Sequence, residues 1–544
     1  MPTFRSDGVA AALVSALAAL VIAPYLLVWA GAPLEPGLVA AVAVAAAVLA
    51  FRSTGPDEGS DPAPLRTWAV VTGGAGAWLV WLAWPLLLPP GGGSDLTHHL
   101  MLVDVLDRTR HLVDGDTMGG AMGEMAHYTP GLHLAMVTLG SLAGVAAWRA
   151  AHPLLIVTVA LKAGFLFLIA HRLLTGVRAR LPLALASVAF VLFVPRVYSL
   201  GGFLQSGYLA QVAAEVFVVA GWWALAEWRA SRKWRWTALV GASGAATFLV
   251  WPIWIGPLLI ATTAVVLLRA DVALAPRVSA LAAAVAPTAV VAALHLSQHA
   301  AWLRMAGTSG AVPAFNADAA WWTLVALALS GVRTSWRASS ARVTVWFAAA
   351  LALQAAVLVV VARARGAETP YMAVKMTYLA AYPLAILAAT GLARVIAWLP
   401  AAAGTTAAWG SSAAAWVVAA RLASAFVSPA PLVSPDLFAA GAWARTNLPP
   451  ACVDYVVADG DTAYWLYLAV MGQSRNSARA AALDHYSLNA AVGRWIDGSS
   501  LPYAVADRTR LPAEVRDATQ ALYSAGRAVV IARPGLAGQP VCPP

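Results

Sequence analysis

The chain has 544 residues, 61% of them hydrophobic and only 11% charged, with a mean hydropathy of +0.73. That balance excludes a soluble globular protein, and recurring apolar runs of about 20 residues read as membrane-spanning helices. The net charge of +10 does not point to nucleic acid, because most arginines fall in short loops between apolar runs, and two cysteines are too few for a zinc cluster.

Unpaired backbone groups are not tolerated in hydrocarbon, so the expected fold is an all-α polytopic membrane protein. Length and apolarity give about thirteen transmembrane helices. The first lies near residues 9–30, behind Arg5. Ala30-Gly31-Ala32 resembles a signal-peptide cleavage site, but Pro33 directly after it favours a retained helix. Crossings near 38–51 and 68–88 lead into a polar loop, 89–130, rich in acids and histidines. Residues 131–147 are apolar but short, and reading them as a half-inserted helix leaves the later basic loops on the cytoplasmic side. Those loops hold Arg172, Arg178 and Arg180, then Arg229, Arg232, Lys233 and Arg235, then Arg269, Arg277, Arg333, Arg337 and Arg342. The remaining crossings lie near 153–171, 181–200, 208–228, 236–251, 253–268, 278–295, 319–329, 343–361, 371–396 and 405–426. The expected protein is multi-pass in the plasma or inner membrane. Its amino terminus is cytoplasmic, and the 89–130 loop and C-terminal domain are extracytoplasmic.

Two domains are expected, 1–428 in the membrane and 429–544 outside it, joined at Ser428-Pro429-Ala430-Pro431. The second reads as a small α/β domain with strands at 452–458, 502–506 and 528–532 and amphipathic helices at 462–471 and 512–525. Cys452 and Cys542 flank its first and last strands, either as a disulfide or as two free thiols.

Charged groups at a helix exit are functional candidates, because charge is costly near a bilayer. Asp95 is the first, and Asp95, His98 and His99 share one helical face by spacing. A partly buried carboxylate there can act as a general base; the plainer alternative is a solvated surface loop. The same trio offers ligands for a possible divalent cation, although no His-Glu-x-x-His pattern is present. Glu124, His127 and Tyr128 close the loop, and Tyr128 and His133 either line a sugar pocket or join an aromatic belt. Trp222, Trp223, Trp251, Trp254, Trp321 and Trp322 read as belt or packing residues. Basic residues at the outer helix ends oppose the positive-inside trend: Arg196, Arg304, Arg363, Arg365 and Lys375. Lys375 stands inside the apolar run that begins at Tyr371, where a lipid phosphate would neutralise it; snorkelling to headgroups is the alternative. Charges thus gather at one outer face, and no inverted repeat is visible, which favours an enzyme over a transporter.

Asp95 at the start of the first large loop, followed by Tyr128-Thr129-Pro130-Gly131 opening a short apolar helix, resembles polytopic glycosyltransferases of the GT-C class. The spacing is similar to that of actinobacterial arabinofuranosyltransferases, and Tyr371-Met-Ala-Val-Lys375 resembles their donor-facing helix start. Such enzymes often show an acidic pair in this loop, whereas here Asp95 is followed by Leu-Thr-His-His. The resemblance implies an inverting transfer of a sugar, arabinofuranose being one candidate, from a polyprenyl-phosphate sugar donor to a glycan or lipid acceptor. Asp95 would be the base. Lys375 and Arg196 would stabilise the lipid phosphate, and His98, His99, Glu124, His127, Tyr128, Arg304 and Tyr371 would contact substrate. The alternatives are a flippase for a lipid-linked saccharide and a non-catalytic cell-wall assembly protein.

Overall fold

The computed structural model describes residues 6–54, 64–88, 94–177, 179–193, 207–269, 271–310, 319–338, 341–424, 431–533 and 542. Helices α1 (Ser6–Trp29), α2 (Pro36–Ser53) and α3 (Leu65–Ala83) open the chain. The loop region folds as α4 (Ser94–Thr109), α5 (Gly115–Met122) and a 3-10 turn, Gly123–His127. Then come α6 (Gly131–Ala143), α7 (Ala151–Leu173), α8 (Arg180–Phe193), α9 (Leu209–Ser231), α10 (Trp234–Val250), α11 (Ile255–Leu267) and α12 (Leu274–His299). The bundle ends with α13 (Ala319–Arg337), α14 (Arg342–Ala364), α15 (Tyr371–Ile396) and α16 (Ala401–Ser424). Where its residues are described, each segment expected to cross contains a helix. Seven of them, α1, α2, α7, α9, α12, α14 and α15, are long and apolar enough to cross a membrane alone.

Outward-facing Leu49, Val70, Trp81, Val360 and Val417 are exposed, as lipid-facing positions are. Inside, close packing depends on small residues. A Cβ on Gly331 of α13 would fall 2.0 Å from the Leu387 carbonyl of α15, and one on Gly391 of α15 would fall 2.1 Å from the Leu327 carbonyl. Helix α6 has 13 residues, about 20 Å of rise, shorter than the hydrocarbon layer, as α11 also is. It stops at Gly144 in the left-handed conformation, φ 65°, and the chain turns back into α7.

The C-terminal domain contains α17 (Pro435–Asn447), β1 (Val453–Val456), α18 (Gly460–Trp465, continuing as a π-helical turn Leu466–Val470), α19 (Ala478–Leu483) and α20 (Leu488–Ile496). After these come β2 (Tyr503–Asp507), α21 (Ala513–Ala518), β3 (Gln520–Ala525) and β4 (Ala528–Ala532). The sheet order is β1-β2-β4-β3, with β1 and β2 parallel and the other pairs antiparallel. The helix expected over 512–525 is corrected: it stops at Ala518, and Gln520–Ala525 forms a strand. Gly526, at φ 54°, closes a tight hairpin onto β4 that a helical reading overlooks. A disulfide joins Cys452 to Cys542, with Cα atoms 5.3 Å apart.

This domain docks on the loop region. Arg445 of α17 pairs with Asp104 of α4 at 3.1 Å and also donates to the Val470 carbonyl. The Arg475 amide donates to Ala121 and the Ser474 hydroxyl to Gly120. Helix α4 buries Leu96, Leu100, Leu102, Val103 and Leu106 between α6 and this domain, so the solvated-loop alternative does not hold for it.

Candidate active site

Asp95 occupies the first turn of α4, where a carboxylate complements the positive helix end. Its side chain is 46% exposed although protein surrounds it, so it opens onto a cleft rather than onto bulk surface. One turn on, His99 places Nε2 3.7 Å from Asp95 Oδ2, while its Nδ1 lies 2.9 Å from Nε2 of the fully buried His133 on α6. Burial pushes the Asp95 carboxyl toward its neutral form. The neighbouring His99, together with the charge of Lys375, outweighs that and holds it below its ordinary range. An ionised carboxylate with an open side results.

Tyr128 stacks its ring edgewise near His99 and His133 and lies 5.9 Å from Trp251, centroid to centroid. It is buried among these side chains rather than placed in a belt. The glycine after Pro130 has a steric cause. A Cβ at Gly131 would lie 2.8 Å from the Leu249 carbonyl of α10 and 2.8 Å from Val21 of α1, so only glycine lets α6 seat against both.

Lys375 enters from the first turns of α15 and is 3% exposed. Its Nζ lies 4.2 Å from the ring centre of Tyr371 and 4.9 Å from those of Tyr208 and Trp251. Three aromatic faces attract the ammonium without neutralising it. Among the described residues no carboxylate stands within ion-pairing distance, yet Asp95 and Glu124 both act on it electrostatically. Carboxylate and ammonium therefore share one neighbourhood although they are 280 positions apart in the chain.

The aim of Lys375 is set from below. Tyr208, which caps α9, lies seven positions before Glu215, and Lys375 lies seven before Tyr382, so each pair occupies one helix face, about two turns apart. Glu215 accepts hydrogen bonds from the Tyr382 hydroxyl and, at 2.5 Å, from the Lys162 ammonium of α7. Lys162 also donates to Tyr382 at 3.0 Å. All three are fully buried, and together they lock α15 in rotation against α9 and α7. This pair corrects the expectation that charge gathers only at one outer face.

Glu124, on the 3-10 turn, receives Arg475 of the C-terminal domain at 3.3 Å and remains 51% exposed. It provides the second acid near Lys375 that the sequence next to Asp95 lacks. His98 turns away from Asp95, its Nε2 lying 3.0 Å from the Tyr464 hydroxyl of α18. Burial, then the charge of Arg475, pushes the His98 imidazole down to about 4. His127 packs against His299 of α12, ring centres 6.0 Å apart. Arg304 is exposed; its backbone carbonyl accepts from Arg365, and its guanidinium reaches none of these groups among the described residues. Arg196 lies outside the described residues.

The structure thus assembles Asp95, His99, Glu124, Tyr128, Tyr371 and Lys375, with His98 at the rim. With His98 turned to Tyr464 and His99 to His133, the trio read as cation ligands does not converge, and no other group of three metal-binding side chains does so among the described residues. Sequence reading missed Tyr208, Trp251, Tyr464 and Arg475. Trp251 is not a belt residue: α10 ends at Val250, and Trp251 with φ −150° and ψ 91° turns its ring to Lys375 just before Pro252. That Trp-Pro junction was the available signal.

No family model matches this sequence, and no curated protein does. Among solved structures, the chain is similar to ArnT from Cupriavidus metallidurans bound to undecaprenyl phosphate, with 14% identity, 88% of this chain and 100% of that chain covered, and a TM-score of 0.47. It is also similar to the archaeal oligosaccharyltransferase AglB from Archaeoglobus fulgidus in complex with an inhibitory peptide and a dolichol-phosphate, with 13% identity, 81% of this chain and 69% of that chain covered, and a TM-score of 0.48.

Proposed function

We propose that this chain is an inverting membrane glycosyltransferase of the GT-C class, moving a sugar from a polyprenyl-phosphate donor to a hydroxyl of a cell-envelope glycan or lipid. The observation that carries the reading is an open carboxylate, Asp95, within electrostatic reach of a buried ammonium, Lys375, that has aromatic rings around it and, among the described residues, no carboxylate at ion-pairing distance. A donor phosphate is the anion that Lys375 lacks. Asp95 takes the proton of the acceptor hydroxyl as its oxygen attacks the anomeric carbon. The bond from that carbon to the phosphate oxygen breaks on the opposite side, which inverts the centre. The electron pair leaves with the polyprenyl phosphate, and Lys375 stabilises the charge that develops there. Glu124, Tyr464 and Arg475 form the acceptor side, and Arg196 is a second phosphate ligand. Arabinofuranose is one sugar this reading admits.

The far end of the bundle collects Arg229, Arg232 and Arg269 around Asp271 and pairs Arg172 with Glu227. This supports a cytoplasmic position for that end and an extracytoplasmic one for the Asp95 cleft. A flippase reading draws on the charges of Lys162 and Glu215 deep in the bundle; their mutual neutralisation at 1% and 0% exposure fits a brace better than a transport path.

The direct test is binding of a polyprenyl phosphate to purified protein. Lys375→Met should weaken it by about 10- to 100-fold, the worth of a hydrogen-bonded charge. Equal affinity in the variant, or no binding by the wild type, would remove Lys375 from the donor site.

A further inference from the structure

We propose that the protein binds one anionic phospholipid at the membrane face opposite the Asp95 cleft, in a cavity governed by Arg394. Lys375 and Arg394 lie 19 residues apart on α15, about 28 Å along the helix axis and close to the thickness of the hydrocarbon layer. Arg394 therefore stands at the other interface. A cavity of about 600 Å³ opens there between the C-terminal ends of α7, α13 and α15 and the start of α16. It begins within a turn of the tight Gly331–Gly391 contact, and its wall is mostly apolar.

Its polar groups have one chemistry. Among the described residues Arg394 is the single charged one in the lining, and hydroxyls come from Thr175, Thr334, Ser335, Thr390 and Thr405. Among the described residues no carboxylate lines the cavity and Arg394 has no ion pair. Arg333 and Arg337, on the last turns of α13, add positive charge beside Thr334 and Ser335 and are likewise unpaired among the described residues. A guanidinium fork matches a phosphate, hydroxyls suit a glycerol headgroup, and the apolar wall takes an acyl chain. A choline headgroup would bring a second cation against these arginines, so the field selects an anionic lipid.

The test uses delipidated full-length protein in detergent, titrated with phosphatidylglycerol, phosphatidylcholine or a polyprenyl phosphate and read by native mass spectrometry. Three forms are compared: wild type, Arg394→Gln, and Ala397→Trp, which fills the cavity and keeps the arginine. Wild type should retain one phosphatidylglycerol about 10-fold more tightly than phosphatidylcholine, and both variants should lose that preference. If Arg394→Gln fails to fold, Ala397→Trp alone decides. Equal retention of the two phospholipids by wild type, unchanged retention of phosphatidylglycerol in the folded variants, or its one-for-one displacement by polyprenyl phosphate would overturn the proposal.

Discussion

His98 and Lys375 show how much a single side chain depends on its surroundings. The imidazole of His98 titrates at about 4 in the fold against 6.5 ordinarily, first because it is buried and then because Arg475 is near. As pH falls, the unfolded chain takes up this proton before the folded one. The contribution of His98 to stability is therefore complete above about 6.5 and is lost as pH drops toward about 4, a change of at most about 3 kcal/mol. Melting curves of His98→Gln should depend less steeply on pH between 7 and 4 than those of wild type; an identical slope would assign the effect to other groups. At this scale the sequence was legible where a residue contradicted its neighbours. Lys375 is a lone charge in an apolar run, and Asp95 stands at a helix exit, so each drew notice. Tyr208 did not, because an aromatic near a membrane boundary has several ordinary explanations. Arg475 could not, because its partner Glu124 is 351 positions away and only the docked domain joins them.

Between elements, the buried Lys162–Glu215–Tyr382 triad fixes how α15 meets α7 and α9. Lys162→Met would leave the Glu215 carboxylate buried without its cation, which costs about 3–5 kcal/mol. Tyr382→Phe removes one neutral donor to that carboxylate and should cost about 1.5–3 kcal/mol. Thermal unfolding in detergent should rank the two in that order, and the reverse order would show that Tyr382 rather than the ion pair holds the helices. The triad was invisible beforehand because helix rotation sets which residues of separate apolar runs meet, and hydropathy carries no rotation. The shortness of α6 was legible, since its apolar stretch opens at a proline and ends at a glycine in the left-handed conformation. Strand Gln520–Ala525 was not, because its apolar residues suit either period and the left-handed turn at Gly526 decides for the hairpin.

Across the whole molecule, the C-terminal domain is part of the site rather than an appendage. Tyr464 and Arg475 bring it to His98 and Glu124, and Arg445 anchors it to Asp104. The Cys452–Cys542 bond spans 90 positions and closes this domain. Loop-closure entropy puts the cost of losing it at about 4–5 kcal/mol, so Cys542→Ser should lower the denaturant midpoint of the domain markedly. An unchanged midpoint would mean that helix and sheet packing suffice. Composition showed the membrane bundle and the added domain, but their docking rests on contacts between distant segments that no local pattern records. The central claim is that Asp95 does chemistry in a cleft it shares with Lys375, and it is tested most directly by Asp95→Asn in proteoliposomes supplied with a radiolabelled polyprenyl-phosphate sugar. The account predicts that the variant folds, still binds the lipid donor, and transfers sugar about 100- to 10,000-fold more slowly, the usual effect of removing a general base. Transfer at the wild-type rate would contradict it.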